Sequence, residues 1–87
     1  MKEPKVGERY AHFKNEDNIY EIIAISRDSE NPEKKFVVYE SLYAGKFPRG
    51  TIWHRALGDF MGDKVLDDGT KVKRFKLIEN NKGEKDL

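Results

Sequence analysis

Phe36-Val37-Val38-Tyr39-Glu40-Ser41-Leu42-Tyr43 decides the fold. It is the longest run of β-branched and aromatic residues in the chain, and turn-forming residues bound it on both sides. Branched and planar side chains favour a pleated, half-buried surface, where they pack against cross-strand neighbours. Alternation assigns Phe36, Val38, Glu40 and Leu42 to one face and Val37, Tyr39, Ser41 and Tyr43 to the other. Apolar bulk on both faces predicts an interior strand covered in part on each side, because a strand with one solvated face alternates more cleanly. Glu40 interrupts an apolar face. A carboxylate there is either turned outward by a bulge or met by Arg, Lys or His.

Working upstream, Asp28–Lys35 is polar, contains Pro32 and predicts a loop. Ile19–Arg27 predicts a strand with Tyr20, Ile22 and Ala24 on one face and Ile19, Glu21, Ile23 and Ile25 on the other. Asn15-Glu16-Asp17-Asn18 predicts the turn before it, because Asn and Asp side chains satisfy a tight turn locally. Glu8–Lys14 then completes a hairpin, with Tyr10 and His12 on one face and Arg9, Ala11 and Phe13 on the other. Residues 1–7 form a polar lead-in.

Downstream, Gly45, Pro48 and Gly50 exclude helix from Ala44–Gly50. Thr51–Arg55 predicts a short strand on which Trp53 and Arg55 share one face and Ile52 and His54 the other. Ala56–Met61 fits one helical turn, with Leu57, Phe60 and Met61 on one side. Val65–Val72 predicts a hairpin whose Asp68-Gly69 suits a type I′ turn and sets Val65 opposite Val72. The return strand runs to Ile78 with Phe75 and Leu77 inward, and the phase of Val72 predicts a bulge near Lys73. Residues 1–78 read as one domain and 79–87 as a flexible tail.

Five or six short strands with almost no helix predict a small all-β domain. Curling into a small SH3-like barrel or roll solves the problem of one exposed apolar face and two long edges. An open five-stranded sheet covered by the Ala56–Met61 turn ranks second, and an OB-like barrel third.

The 87 residues suffice for one small domain. Cysteine is absent, which excludes a disulfide framework, a thiolate nucleophile and a Cys-based zinc site. The N-terminus lacks an apolar signal core and no apolar run approaches membrane-spanning length, so a cytoplasmic protein with no membrane partner is expected. Lys and Arg number 17 against 16 Asp and Glu, a net charge of +1, which gives no strong pull toward phosphate backbones.

The blocks Tyr10-Ala11-His12-Phe13-Lys14, Tyr20-Glu21-Ile22-Ile23, Val37-Val38-Tyr39-Glu40-Ser41-Leu42-Tyr43, Trp53-His54-Arg55 and Arg74-Phe75 occur in an order and spacing that resemble the domain of unknown function 1653 (DUF1653) family, a set of small, mostly bacterial proteins. The likeness covers roughly Gly7 to Ile78. It implies an SH3-like β-roll and implies no reaction. Three positions depart from the family pattern. Ala11 stands where members carry Arg, Arg27-Asp28 where they often read Arg-His, and Ala56 where Pro usually follows the Trp-x-Arg block.

No constellation of catalytic residues stands out. His12 and His54 are the only histidines, too few to suggest a metal site. Neither the serines nor the glycines sit in a nucleophile-elbow or phosphate-loop pattern, so no cofactor is expected. Asp67-Asp68-Gly69 lacks the spaced ligands of a calcium loop. His12 with Glu40 or Glu21 offers a possible acid–base pair across strands, against the plainer expectation of a strand histidine held by a structural hydrogen bond. Lys71, Lys73, Arg74 and Lys76 offer a weak RNA contact, or simply edge protection.

The aromatic residues are the most suggestive group. Tyr10, Tyr39, Tyr43 and Trp53, with Arg27 and Arg55 at the rim and His12 and Glu40 nearby, predict an aromatic–Arg binding surface for a peptide, protein or small ligand. The leading expectation is therefore a noncatalytic binding module. A small-ligand or enzymatic site on His12 comes second and an RNA-binding module third.

Overall fold

The computed structural model describes residues 3–79. Its strands are β1 (Arg9–His12), β2 (Asn15–Asp28), β3 (Asn31–Ser41), β4 (Ile52–Ala56), β5 (Asp63–Val65), β6 (Lys71–Lys73) and β7 (Phe75–Glu79), with one helical turn, α1 (Leu57–Phe60), after β4. β4-β3-β2-β1-β7 form one antiparallel sheet, and β5-β6 form a separate two-stranded ribbon. The fold is all-β. Phe36–Ser41 is an interior stretch as predicted, paired with β2 on one side and β4 on the other. The middle strand is β2.

The sheet is curled. Arg55 lies on β4 and Phe75 on β7, the two edges, which in a flat sheet would stand ~19 Å apart at four strand spacings. Instead the Arg55 Cζ sits 5.7 Å from the centre of the Phe75 ring. The Tyr39 ring on β3 likewise reaches to 5.6 Å from Phe75. Yet β4 and β7 do not pair among the described residues, so the sheet is not closed into a barrel. The gap is filled by side chains. Tyr20, Ile22, Val37, Tyr39, Phe60 and Phe75 form the buried core, with Tyr10, Ile25, Tyr43, Trp53, Leu57 and Met61 packed against it.

α1 covers this core as the sequence pattern predicts. A single turn has no independent stability, and Phe60 holds it in place. Phe60 stacks on Phe75 at 4.2 Å and meets Tyr10 and Tyr39 edge-on at 5.2 and 5.3 Å. Leu57 and Met61 flank it on the same side.

Several local expectations are corrected. The first hairpin turns at Phe13-Lys14, pairing His12 with Asn15. Asn15–Asn18 instead absorbs the shift of register that follows, helped by Asp17 donating its N–H to Asn15 Oδ1 at 2.8 Å. A bulge between Ile22 and Ala24 turns Ile25 onto the core face and sets Ala24 opposite Val38. Asp28–Lys35 is not a free loop, because β3 resumes pairing at Asn31 with Asp28. In the ribbon Val65 pairs with Lys71, not Val72. Leu66 accepts from Gly69 and donates to Thr70. Only Gly69 takes a positive φ there, at +89°. This is a turn closed by a glycine bulge, not type I′, which would need Asp68 in the left-handed region too. The strand breaks at Arg74, one residue beyond the predicted bulge, where the chain leaves the ribbon and joins the main sheet beside β1. Phe75 is buried, but Leu77 is exposed. Of the predicted tail, residues 80–87 lie outside the described residues.

Candidate functional site

Register decides which predicted site residues can meet. Tyr39 pairs with Trp53 and Val37 with Arg55, so Trp53 and Arg55 follow Tyr39 and Val37 onto the buried, concave face. Glu40 pairs with Ile52 and with Glu21, which puts both carboxylates on the convex face. There Glu21 accepts from Arg9 Nε at 3.2 Å. Glu40 is therefore not the floor of a site with His12 or Arg55, and the proposed acid–base pairs of His12 with Glu40 or Glu21 do not form. Arg27 is exposed and donates to the Pro32 carbonyl at 2.7 Å at the far end of the β2–β3 hairpin. It is absent from the rim of the aromatic group.

Phe75 is the hub of the concave face. Phe60 stacks on one side of its ring, leaving the other side to the Arg55 guanidinium. Tyr20, Tyr39 and His12 contact it edge-on at 5.7, 5.6 and 5.2 Å. Arg55 Nε also donates to the Tyr39 hydroxyl at 3.4 Å. The Tyr20 and Tyr43 hydroxyls share a hydrogen bond of 2.6 Å. Burial is the main cause that pushes the Tyr20 phenol well above its ordinary range; the bond to Tyr43 adds to it and nearby Arg55 opposes it. Trp53 is half-buried, flanked by Phe47 at 5.1 Å, and its ring contributes to the wall without being lost in the core.

His12 has a structural hydrogen bond, the plainer of the two expectations for it. Its Nδ1 accepts the Lys14 backbone N–H at 3.1 Å and so pins the two-residue turn. Accepting at Nδ1 makes the neutral ring an Nε2–H donor. Its pKa is lowered from the usual 6.5, first by burial and then by the positive charges of Lys14, Arg55 and Arg74. Those causes also identify a member of the group that sequence reasoning missed. Arg74 was grouped with the basic run of the last strand. It is in fact half-buried, and Phe13 donates to its carbonyl at 3.0 Å, which fixes it beside the β1–β2 turn. Its pairing with Phe75 in the family-like Arg74-Phe75 block was the one available signal. Lys73, by contrast, reaches the Met61 carbonyl at 3.3 Å and Asp63 at 3.9 Å.

Tyr10 belongs to a neighbouring site. Its hydroxyl donates to Glu8 at 3.1 Å, and its ring lines a separate cavity of about 320 Å³ with Phe60, Met61, Phe75 and Leu77. Burial, and then the charge of Glu8, push the Tyr10 phenol upward.

The arrangement around Phe75 thus holds the Arg55 guanidinium, three tyrosine hydroxyls, an indole and a neutral imidazole, with Arg74 acting on that imidazole and Glu8 engaged by the Tyr10 hydroxyl. It has the blocks Tyr-x-His-Phe-Lys, Val-Val-Tyr, Trp-x-Arg and Arg-Phe brought to one place. A family model described as a protein of unknown function (DUF1653) matches residues 8–77. The chain belongs to the DUF1653 family. No curated protein and no solved structure matches it. The DUF1653 match runs from just before β1 into β7, so it includes every residue of the Phe75-centred group. Among the described residues no group of three or more His, Cys, Asp or Glu could hold a metal ion, and no helix is long and apolar enough to cross a membrane.

Proposed function

We propose that this DUF1653 chain is a noncatalytic binding module whose concave aromatic–Arg face takes its ligand. The observation that carries this is Arg55. Its guanidinium lies over Phe75 and against the Tyr39 hydroxyl without an ion pair among the described residues, at the point where the two edges of the sheet approach each other. A half-buried cation held by a ring face and one hydroxyl is poised to meet a ligand. Trp53, Tyr43 and His12 extend the same face. The domain is read as an SH3-like roll left partly open, supported by the curled antiparallel sheet and the helical turn that plugs it. That comparison is one of architecture and does not itself name a ligand.

The test is a ligand screen of small molecules and short peptides followed by amide NMR. Wild type is compared with the Trp53→Ala/Arg55→Ala double variant, whose fold is first checked by circular dichroism. The expected result is a hit whose shifts centre on β3, β4 and the Phe75 region and vanish in the folded double variant. Hits that map to the convex face, or that the double variant binds equally well, would overturn the proposal.

A further inference from the structure

We propose that the Arg55–Arg74–His12 cluster is an oxyanion-binding site, taking a carboxylate or phosphate group on a small ligand. The inference deepens the binding-module reading and rests on it.

Two donors meet one ring, and a third adjoins it in the chain. Arg55 lies over Phe75 at 5.7 Å, and His12 meets the same ring at 5.2 Å. Arg74 is the residue immediately before Phe75, tied to the β1–β2 turn through the Phe13 N–H. The two arginines are close enough to His12 for both to act on it electrostatically, together with Lys14. With Nδ1 occupied by the Lys14 N–H, the imidazole offers a donor at Nε2 without needing to be charged.

The hydrogen-bond inventory is one-sided. Arg74 Nε and Trp53 Nε1 are buried and have no partner among the described residues. Neither Arg55 nor Arg74 has an ion pair among those residues, whereas Arg9, Lys35 and Lys73 each have a carboxylate within reach. Buried donors are ordinarily satisfied, and each exception calls for an explanation. Two planar guanidiniums and an N–H donor suit the oxygens of a carboxylate or phosphate. Glu21 and Glu40 are held on the opposite face by the register of β2, β3 and β4, and Glu8 is engaged by the Tyr10 hydroxyl and the Lys5 N–H. The chain therefore supplies the donors here and leaves the acceptor to a ligand.

The experiment uses the full chain and the Trp53 indole N–H signal, which is unambiguous because Trp53 is the only tryptophan. Sodium sulfate and inorganic phosphate form one arm, acetate and benzoate another, with sodium chloride at matched ionic strength as the control. The expected result is a saturable shift of the indole and of the Arg74 and Phe75 amides, with chloride producing none. Preference for sulfate and phosphate over the carboxylates, or the reverse, assigns the oxyanion. Arg55→Gln and Arg74→Gln, each confirmed as folded by amide dispersion, should weaken binding about ten-fold or more, the effect of losing one charge-assisted hydrogen bond. Lys71→Gln, on the ribbon, should leave it unchanged. No saturable shift with any oxyanion, or binding that survives both arginine substitutions, would overturn the proposal. If that happened while a neutral hit from the screen still required Trp53 and Arg55, the binding-module reading would stand and only the oxyanion would fall.

Discussion

Replacing Phe60 by alanine should remove a large part of the stability of the whole domain. Phe60 is only 1% exposed and touches three rings, those of Tyr10, Tyr39 and Phe75. Truncating a buried phenylalanine costs about 3–5 kcal/mol through lost transfer energy and the cavity left behind. At roughly 0.05–0.15 kcal/mol per residue a domain of this size has only about 4–13 kcal/mol in total. The site offers little scope for collapse, because α1 is held against the sheet by this ring. The upper half of the cost range is therefore expected. Urea denaturation followed by Trp53 fluorescence measures it. With a slope of about 1 kcal/mol per molar urea for a small domain, the midpoint should fall by roughly 4 M or more, or the variant should be unfolded without denaturant. Phe60→Leu serves as the folded companion. It keeps most of the apolar volume and loses the ring contacts, for a cost of about 1–2 kcal/mol. A Phe60→Ala loss below about 1 kcal/mol would refute the view that one side chain on a single helical turn closes the open end of the sheet.

Tyr43→Phe removes one side of the Tyr20–Tyr43 hydroxyl pair and should cost about 1 kcal/mol in urea unfolding; an unchanged midpoint would mean the bond contributes nothing net. Gly69→Ala places a Cβ in open space but at φ +89°, so its cost of about 1 kcal/mol is purely conformational. Faster amide exchange confined to β5 and β6 would locate it there. His12 has a lower pKa folded than unfolded, so the unfolded chain binds the proton first. Its contribution to stability should be full above about pH 6.5 and decline as pH falls through the folded value. Unfolding curves between about pH 7.5 and 5 should show this slope, and His12→Gln should flatten it.

Legibility in the sequence followed the range of the interactions. Alternation along one strand correctly put Trp53 with Arg55 and Val37 with Tyr39, and helical spacing put Leu57, Phe60 and Met61 together. Each of those patterns is a local consequence of backbone geometry. What failed was the register between strands. The bulge at Ile23 flips Ile25 to the core, and a single added residue reverses every later side chain. The ribbon register moved by one because Asp68-Gly69 closes a glycine bulge, and the two turn types share the same sequence signal. Glu40 was correctly placed opposite Tyr39 on its own strand, yet its partners Glu21 and Ile52 come from other strands. Arg27 was lost from the site for the same reason, since β2 runs on to Asp28 and carries it away. The role of Arg74 was hidden in a run of lysines, because the phase of Val72 marks a break near Lys73 but not that the chain changes sheets there.

The curl of the sheet links the fold to the site. Tyr39 and Arg55 come from β3 and β4, His12 from β1, Phe75 from the start of β7 and Arg74 from the break just before it. In a flat sheet the β3–β4 groups and the β1–β7 groups would stand toward opposite edges, out of reach of each other. Curling brings Tyr39, Arg55 and His12 around Phe75; burial there, and then the charges of Lys14, Arg55 and Arg74, lower the His12 pKa. Concentrated donors in a half-buried place work against stability unless an acceptor meets them. A small domain has little stability to give away. Val37 and Tyr39, the positions beside Arg55, are buried core, where a carboxylate would be costly. The chain keeps Glu21 and Glu40 on the convex face, and Glu8 is already engaged by the Tyr10 hydroxyl and the Lys5 N–H. The same curvature that buries the aromatic core thus creates an electropositive bowl, and its chemistry is better matched to a bound anion than to any group the described chain provides.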